Sequence, residues 1–334
     1  MKVMQIRFSA LALSLAFGSA CSMNAEPTSP QLSAQTLSPN SAPRSPRPIP
    51  ALSKKQHLLY VATFDSIEIF DTGVRHPKLV ATLTKEVGTP NNPCLSRDGT
   101  LYVPSVHGGV AGFVVVYPFG QSAPSEVLPA IGPGQPKGCA VDAAGNLWVA
   151  DFYLNEVYEY VKGQNTIGTI IYGIPCPDSV AFDATGNMYV ASFGFVFLSA
   201  CPPRAAIEVY APGRTLPFET INAPNFNIFT DMAIDPRGTL YISNSLYILV
   251  YDLEKSKFSK KLRNGTVGIA AVAVDDRGEL YGGSNVTKRR QRNDKSRIIE
   301  FAPGGTSPMS WRIPGTGRDN LINGLAAWPP AERH

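Results

Sequence analysis

Short apolar runs separated by polar turns fill most of this chain, and one combination recurs. An apolar run is followed by a turn holding Asp and Gly, and then by a run opening Leu-Tyr-Val or close to it. The fullest copies are Val141–Val149 and Phe182–Val190; others are Leu95–Val103, Ile234–Ile242 and Val274–Gly282, with a half copy at Leu59–Val61. The aromatic of each copy falls at 60, 102, 148, 189, 241 and 281, a period of 40 to 52 residues, which belongs to propellers and solenoids. Within a copy the pattern predicts a hairpin: Asp bonds the amides of its turn and Gly supplies the positive φ that other residues resist. The runs are apolar on consecutive positions, as in strands covered on both faces.

A third strand is predicted at Ile67–Phe70, Val114–Tyr117, Val157–Tyr160, Ile207–Tyr210, Ile248–Tyr251 and Ile298–Phe301. A weaker fourth follows, as at Val80–Leu83, Thr169–Tyr172 and Ser310–Ile313, making four-stranded blades. The first unit lacks its innermost strand, and the last segment, Asn323–Trp328, aligns with Thr230–Asp235 and supplies it. The expectation is an all-β, six-bladed propeller of four-stranded blades over residues 56–330, its ring closed by pairing the C-terminal strand into the N-terminal blade, with no exposed sheet edge there.

The ends read differently. Lys2 and Arg7 precede the ten-residue apolar run Phe8–Phe17, which marks residues 1–21 as a signal peptide, too short to span a bilayer. Gly18-Ser19-Ala20-Cys21 resembles a bacterial lipobox with Cys21 as the lipidated residue, while Gly18-x-Ala20 also suits ordinary cleavage. Residues 22–55, with seven prolines from Pro27 to Pro50, are expected to form an extended linker too poor in apolar residues to order itself. The expected location is the bacterial cell envelope, or the periplasm or exterior if Cys21 is not lipidated, and the expected state is a monomer.

Charge narrows the partners. The net charge of +4 includes Lys2 and Arg7, and a further +5 sits in the single segment Lys288–Arg297. A nucleic-acid binder shows a basic face rather than one basic loop, so specific nucleic-acid binding is not expected. The membrane is met only through a lipid on Cys21. Four further cysteines, Cys94, Cys139, Cys176 and Cys201, form an even set in an exported chain and favour disulfides. Cys176 with Cys201 would pin a long insertion, and Cys94 with Cys139 would join neighbouring inner strands; Cys176 with Cys139 is the competing bridge.

Pro136 to Asp151 resembles an NHL repeat, and residues 57–330 resemble NHL-type and SMP-30/gluconolactonase-like six-bladed propellers. That superfamily holds scaffolds, binding proteins, lactonases and lyases, so the fold leaves function open. Polar residues gather on the loops that enter each blade and on those joining its second and third strands. Asp151, Asp178, Asp231, Asn244, Asn323 and His107 are the expected ligand-binding residues on that face. The resemblance to lactonases implies a divalent ion there, with Asp178, Asp231, Asn244 and Asn323 as its oxygen ligands and Ca²⁺ as the expected type.

Against this, those enzymes' N-terminal Glu-Gly-Pro motif is absent, Glu68 lying on a predicted outer strand, and no HExxH, GxSxG or Walker signature occurs. No catalytic residue is assigned. The leading expectation is a binding module for a protein, glycan or small molecule, and the alternative is a divalent-metal-dependent hydrolase or lactonase. Phe64, Phe152, Tyr153, Phe193, Phe195 and Phe197 either line a binding surface or pack between blades.

Overall fold

The computed structural model describes residues 49, 52–108, 111–164, 166–194, 201–222, 228–263, 268–285, 296–312 and 321–331. The signal peptide with Cys21, most of the linker, Phe195, Phe197 and the basic residues 288–295 lie outside them. Among the described residues there is no helix, and none is long and apolar enough to cross a membrane.

Six antiparallel sheets make the ring. Blade one holds β1 (Leu58–Ala62), β2 (Ile67–Asp71) and β3 (Lys78–Leu83). Blade two has an innermost strand broken into β4 (Thr89–Pro90) and β5 (Cys94–Leu95), then β6 (Leu101–His107), β7 (Ala111–Tyr117) and β8 (Glu126–Pro129). Blade three is β9 (Pro136–Val141), β10 (Leu147–Asp151), β11 (Glu156–Tyr160) and β12 (Ile167–Tyr172). Blade four is β13 (Pro177–Phe182), β14 (Met188–Ser192), β15 (Ala206–Tyr210) and β16 (Glu219–Asn222). Blade five is β17 (Asp231–Ile234), β18 (Thr239–Asn244), β19 (Tyr247–Asp252) and β20 (Lys257–Leu262). Blade six is β21 (Ile269–Val274), β22 (Leu280–Ser284), β23 (Arg297–Phe301) and β24 (Met309–Arg312).

The last strand, β25 (Gly324–Trp328), pairs with β1 from Leu58 opposite Trp328 to Ala62 opposite Gly324. Blade one is therefore built from both ends of the domain, and the innermost strands touch in a closed cycle from β5 through β9, β13, β17, β21 and β25 back to β5.

The recurring Asp, Gly and aromatic act together in the hairpin turns. Asp183 accepts from the Thr185 and Asn187 amides at 2.8 and 2.9 Å and from the Tyr189 hydroxyl at 3.0 Å. Asp235 accepts from the Thr239 amide at 2.8 Å and the Tyr241 hydroxyl at 3.2 Å. In the third blade Trp148 takes the tyrosine's place, its indole N–H reaching Asp142 at 3.0 Å, and Gly145 holds φ at 90°. The aromatic thus locks the turn through its polar tip while its ring enters the space between blades.

Core clusters lie between neighbouring sheets, as with Leu58, Ile69, Val103 and Val115 between blades one and two. Ile49 and Leu52, expected within the linker, pack on that cluster, and the Ile49 amide donates to the Gly120 carbonyl. Apolar side chains close to the domain, in a stretch whose average composition is polar, are what bring this segment onto it. Cys94 is bonded to Cys139, joining β5 to β9, and Cys176 is bonded to Cys201.

Closure by β25 yields a prediction. A chain ending after Leu321 leaves Leu59, Val61 and Ala271 of the last core cluster without Leu325 and Ala327. It is expected to lose the single cooperative transition in urea followed by circular dichroism; an unchanged transition midpoint would contradict closure.

Candidate functional site

Each innermost strand starts on one face of the ring and ends in its hairpin turn on the other. At the starting face, β-bulges interrupt the pairing of the first two strands. Pro177 opposes Ser192 and Ser179 opposes Ala191, leaving Asp178 as the extra residue. Lys137 is extra between Pro136 and Gly138, and Ala270 between Ile269 and Ala271. A bulge re-aims one side chain and sharpens the local twist, so the aligned positions 137, 178 and 270 are set apart from the strand's regular alternation. In blade two the break between β4 and β5 does the same for Asn91 and Asn92.

These residues tie blade to blade. The Asn323 amide nitrogen donates to the Pro90 carbonyl at 3.0 Å and the Thr63 carbonyl at 3.2 Å, joining blades one and two. Asn91 donates to the Pro136 carbonyl and the Asn92 backbone amide to the Lys137 carbonyl, each at 2.9 Å, joining two and three. Between three and four the backbones meet without a side chain: a Cβ on Gly138 would lie 2.6 Å from the Asp178 carbonyl oxygen. Asp231 joins four, five and six, accepting from the Ser179 hydroxyl at 3.0 Å and from the Met232 and Val272 amides at 2.9 Å each. Asn285 exchanges two bonds with Ile322 and so fastens blade six to the strand that closes blade one. One further bond crosses the ring, from the Asn92 side-chain nitrogen to the Thr230 carbonyl at 2.9 Å, blade two to blade five.

Of the expected cation ligands, the structure brings Asp178 and Asp231 together and commits the amide nitrogens of Asn244 and Asn323 to backbone carbonyls, Asn244 reaching Ile228 at 3.1 Å. Burial pushes the Asp178 carboxyl up to about 7, with Lys137 pulling it back. Burial pushes Asp231 up to about 8; its three donors pull it down and the charge of Asp178 adds to the rise. Asn92, 7% exposed, has a side-chain oxygen with no hydrogen-bond partner. Ser179 and Asn285 were not among the sequence-predicted site residues, whereas repeat alignment places Asn92 on the same rim as Asp178 and Asp231.

Below this layer lies a cavity of about 480 Å³ along the ring axis. Asn92 and Asp231 form its inner end, Val180, Phe182, Met232, Ile234, Val272 and Leu325 line its wall, and Lys54, Arg97, Asp142 and Asp276 stand at the hairpin turns. The cavity therefore runs from the hairpin-turn face toward the tied layer, which Asn92 spans. The sequence placed binding on the opposite face. The structure puts the concave volume on the hairpin side, because the polar residues gathered at the strand starts bond to one another's blades.

The remaining expected residues sit apart from this volume. Asp151 is buried, its Oδ1 accepting from the Gln135, Tyr153 and Leu154 amides. Burial raises its pKa and those donors oppose the rise. His107 is exposed at the end of β6, stacked on Phe113 with centroids 4.5 Å apart. Phe64 and Tyr153 are exposed on the strand-start face, whereas Phe152 packs edge-on to Phe193 at 5.9 Å.

Residues 67–194 match the family model of the SMP-30/Gluconolactonase/LRE-like region. The chain is a six-bladed β-propeller, and that stretch of it is similar to the SMP-30/gluconolactonase/LRE-like region. Similar solved structures include the nidogen/laminin complex, with a TM-score of 0.61 at 13% identity over 81% of this chain and 98% of that one. A protein of unknown function from Bacteroides caccae has a TM-score of 0.57 at 12% identity over 81% of this propeller's chain and 98% of its own. Virginiamycin B lyase from Staphylococcus aureus follows at 0.50 and 12%, over 71% and 74%. At these identities the likeness is one of fold. No curated protein matches the chain. The family includes lactonases, and this propeller is a binding or hydrolase module; its two disulfides are consistent with an extracellular or periplasmic location.

The carboxyl pair makes stability depend on pH. Both folded-state pKa values lie above the ordinary 3.8, so the folded state holds protons that the unfolded chain releases. The resulting stabilisation is complete below about pH 4 and is lost as pH rises through 7 to 8. The protein is expected to melt at a higher temperature at pH 5 than at pH 8.5, and Asp178→Asn to narrow that gap; an equal gap in the variant would remove the pair as its source.

Proposed function

We propose that this propeller is an exported binding module, held at the cell envelope through Cys21 or released, that takes a small ligand into its axial cavity from the hairpin-turn face. The carrying observation is that cavity itself: Val180, Phe182, Val272 and Leu325 line it together with polar groups, Asn92 and Asp231 at its inner end and Lys54, Arg97, Asp142 and Asp276 at its opening. Ligand sites are typically about 300–1,000 Å³, apolar, with few convergent polar groups, and this volume lies inside that range. The mixed lining favours a ligand that carries hydrogen-bonding groups as well as apolar surface. Cys94 and Cys139 on the wall are bonded to each other and offer no thiolate nucleophile.

A second reading, a metal-dependent hydrolase, draws on Asp178, Asp231 and the Asn92 oxygen. Asp178 and Asn92 suit a hard cation. Asp231 fits less well, since both of its oxygens already accept from Ser179, Met232 and Val272. An ion held there would polarise a substrate carbonyl. Turnover of a simple lactone that needs added divalent ion and disappears in Asp178→Asn would favour this reading over the first.

Binding itself is tested by screening a fragment library by ligand-observed NMR. Ala233→Trp places an indole in the cavity and is expected to weaken hits at least about tenfold, the loss of roughly 1.4 kcal/mol, while Tyr153→Ala on the opposite face leaves them unchanged. Hits that survive Ala233→Trp and vanish in Tyr153→Ala would move the site to the strand-start face.

A further inference from the structure

Blade three breaks the repeat in a way the axial cavity does not use. Where its second strand meets its third, Asp151 stands directly opposite Glu156. The corresponding pairs are Ser192 with Ala206 in blade four, Asn244 with Tyr247 in blade five and Ser284 with Arg297 in blade six. Opposed residues of an antiparallel pair share a face of the sheet, as do residues two apart on one strand. Asp151, Glu156 and Tyr158 therefore all point to one side, the side on which Tyr158 joins a core cluster with Val114, Val116 and Leu128 of blade two.

All three are at least nine-tenths buried, at 0%, 5% and 0% exposed. Asp151 Oδ2 and Glu156 Oε1 have no hydrogen-bond partner, and the Tyr158 hydroxyl is within reach of that of Tyr160. The other Asp151 oxygen is fully employed by three backbone amides, which fixes the orientation of the free one. Gly134 closes over it, since a Cβ there would lie 2.0 Å from Oδ2. Among the described residues no Lys, Arg or His forms an ion pair with either carboxylate. The charges act on one another, the Asp151 carboxylate raising the pKa of Glu156 and both raising that of Tyr158, after the larger effect of burial.

Two buried carboxylates facing one space without a cation are costly, because each lost hydration and neither gained a counter-charge. Buried carboxylate oxygens left without a partner on one face are the kind of group a hard cation takes as ligands. We propose that blade three holds a structural divalent cation of calcium's kind against blade two, bound by Asp151 Oδ2, Glu156 and the Tyr158 hydroxyl. This site is separate from the Asp178 and Asp231 pair and stands whether the propeller binds or hydrolyses. Blade six carries Arg297 where blade three has Glu156, opposite Ser284 instead of a carboxylate.

The test uses the mature chain, stripped with a chelator and returned to calcium, with bound metal counted by plasma mass spectrometry and stability followed by thermal melting. One calcium per chain is expected, with a melting temperature raised by about 3 °C or more in about 1 mM calcium. Both effects should vanish in Glu156→Gln and persist in Asp178→Asn. Glu156→Arg supplies the positive charge from the chain and is expected to fold without calcium and to ignore it, which keeps the test open if the Gln variant does not fold. Absence of bound calcium in the wild type, calcium retained by Glu156→Arg, or calcium lost only in Asp178→Asn would each overturn the proposal, the last in favour of an axial ion.

Discussion

Six innermost strands converge on one axis, and at the end where they begin their backbones come too close to be completed by further strands. Buried amides and carbonyls must still find partners. The chain supplies them from side chains: Asn323, Asn91, Asp231 and Asn285 each bond to the backbone of a neighbouring blade and Asn92 to that of the blade across the ring, and Gly138 lets two backbones meet directly. Much else follows from that. The ring is tied at one end and spanned by Asn92, so the cavity extends toward the hairpin turns, and the polar residues that look most like a ligand site are fasteners first.

Much of the architecture was legible because turns and strands leave local marks. Asp183, Gly186 and Tyr189 recur at fixed spacing since one turn needs all three, the Asp receiving the Tyr hydroxyl as well as the amides. The closing strand was legible because Gly324–Trp328 repeats the pattern of Asp231–Ile234. The position of the cavity was not. It depends on bulges at Lys137, Asp178 and Ala270, which change the aim of one side chain without changing the periodicity around it. It depends also on a bond between Asn92 and Thr230, 138 residues apart, and sequence spacing carries no sign of such a partner. The disulfides fell between: the bridges Cys94 to Cys139 and Cys176 to Cys201 were among those expected, but spacing left Cys139 to Cys176 as a competitor until strand neighbours were known.

The inner end of the cavity belongs to the tied layer. Asp231 secures three blades while burial drives its charge toward neutrality, and the same layer leaves the Asn92 oxygen unmatched at the cavity's end. At the other end both termini of the domain come together: Lys54 and the segment Pro329–Ala331 line the opening, and Ile49 packs on the core between blades one and two.

The direction of opening is the claim on which this account stands, and cysteine accessibility measures it directly because Cys94, Cys139, Cys176 and Cys201 are all engaged in disulfides. A single cysteine at Ala233 on the cavity wall should react with a small thiol reagent in a chain whose Cys21 is replaced by Ser. Covering the hairpin-turn rim, by a bulky group attached beforehand at a lysine placed at Ala143, should slow that reaction at least about tenfold. A bulky group at Tyr153, on the tied face, should leave it unchanged. Protection from the Tyr153 side alone, or no reaction at Ala233 at all, would contradict the account.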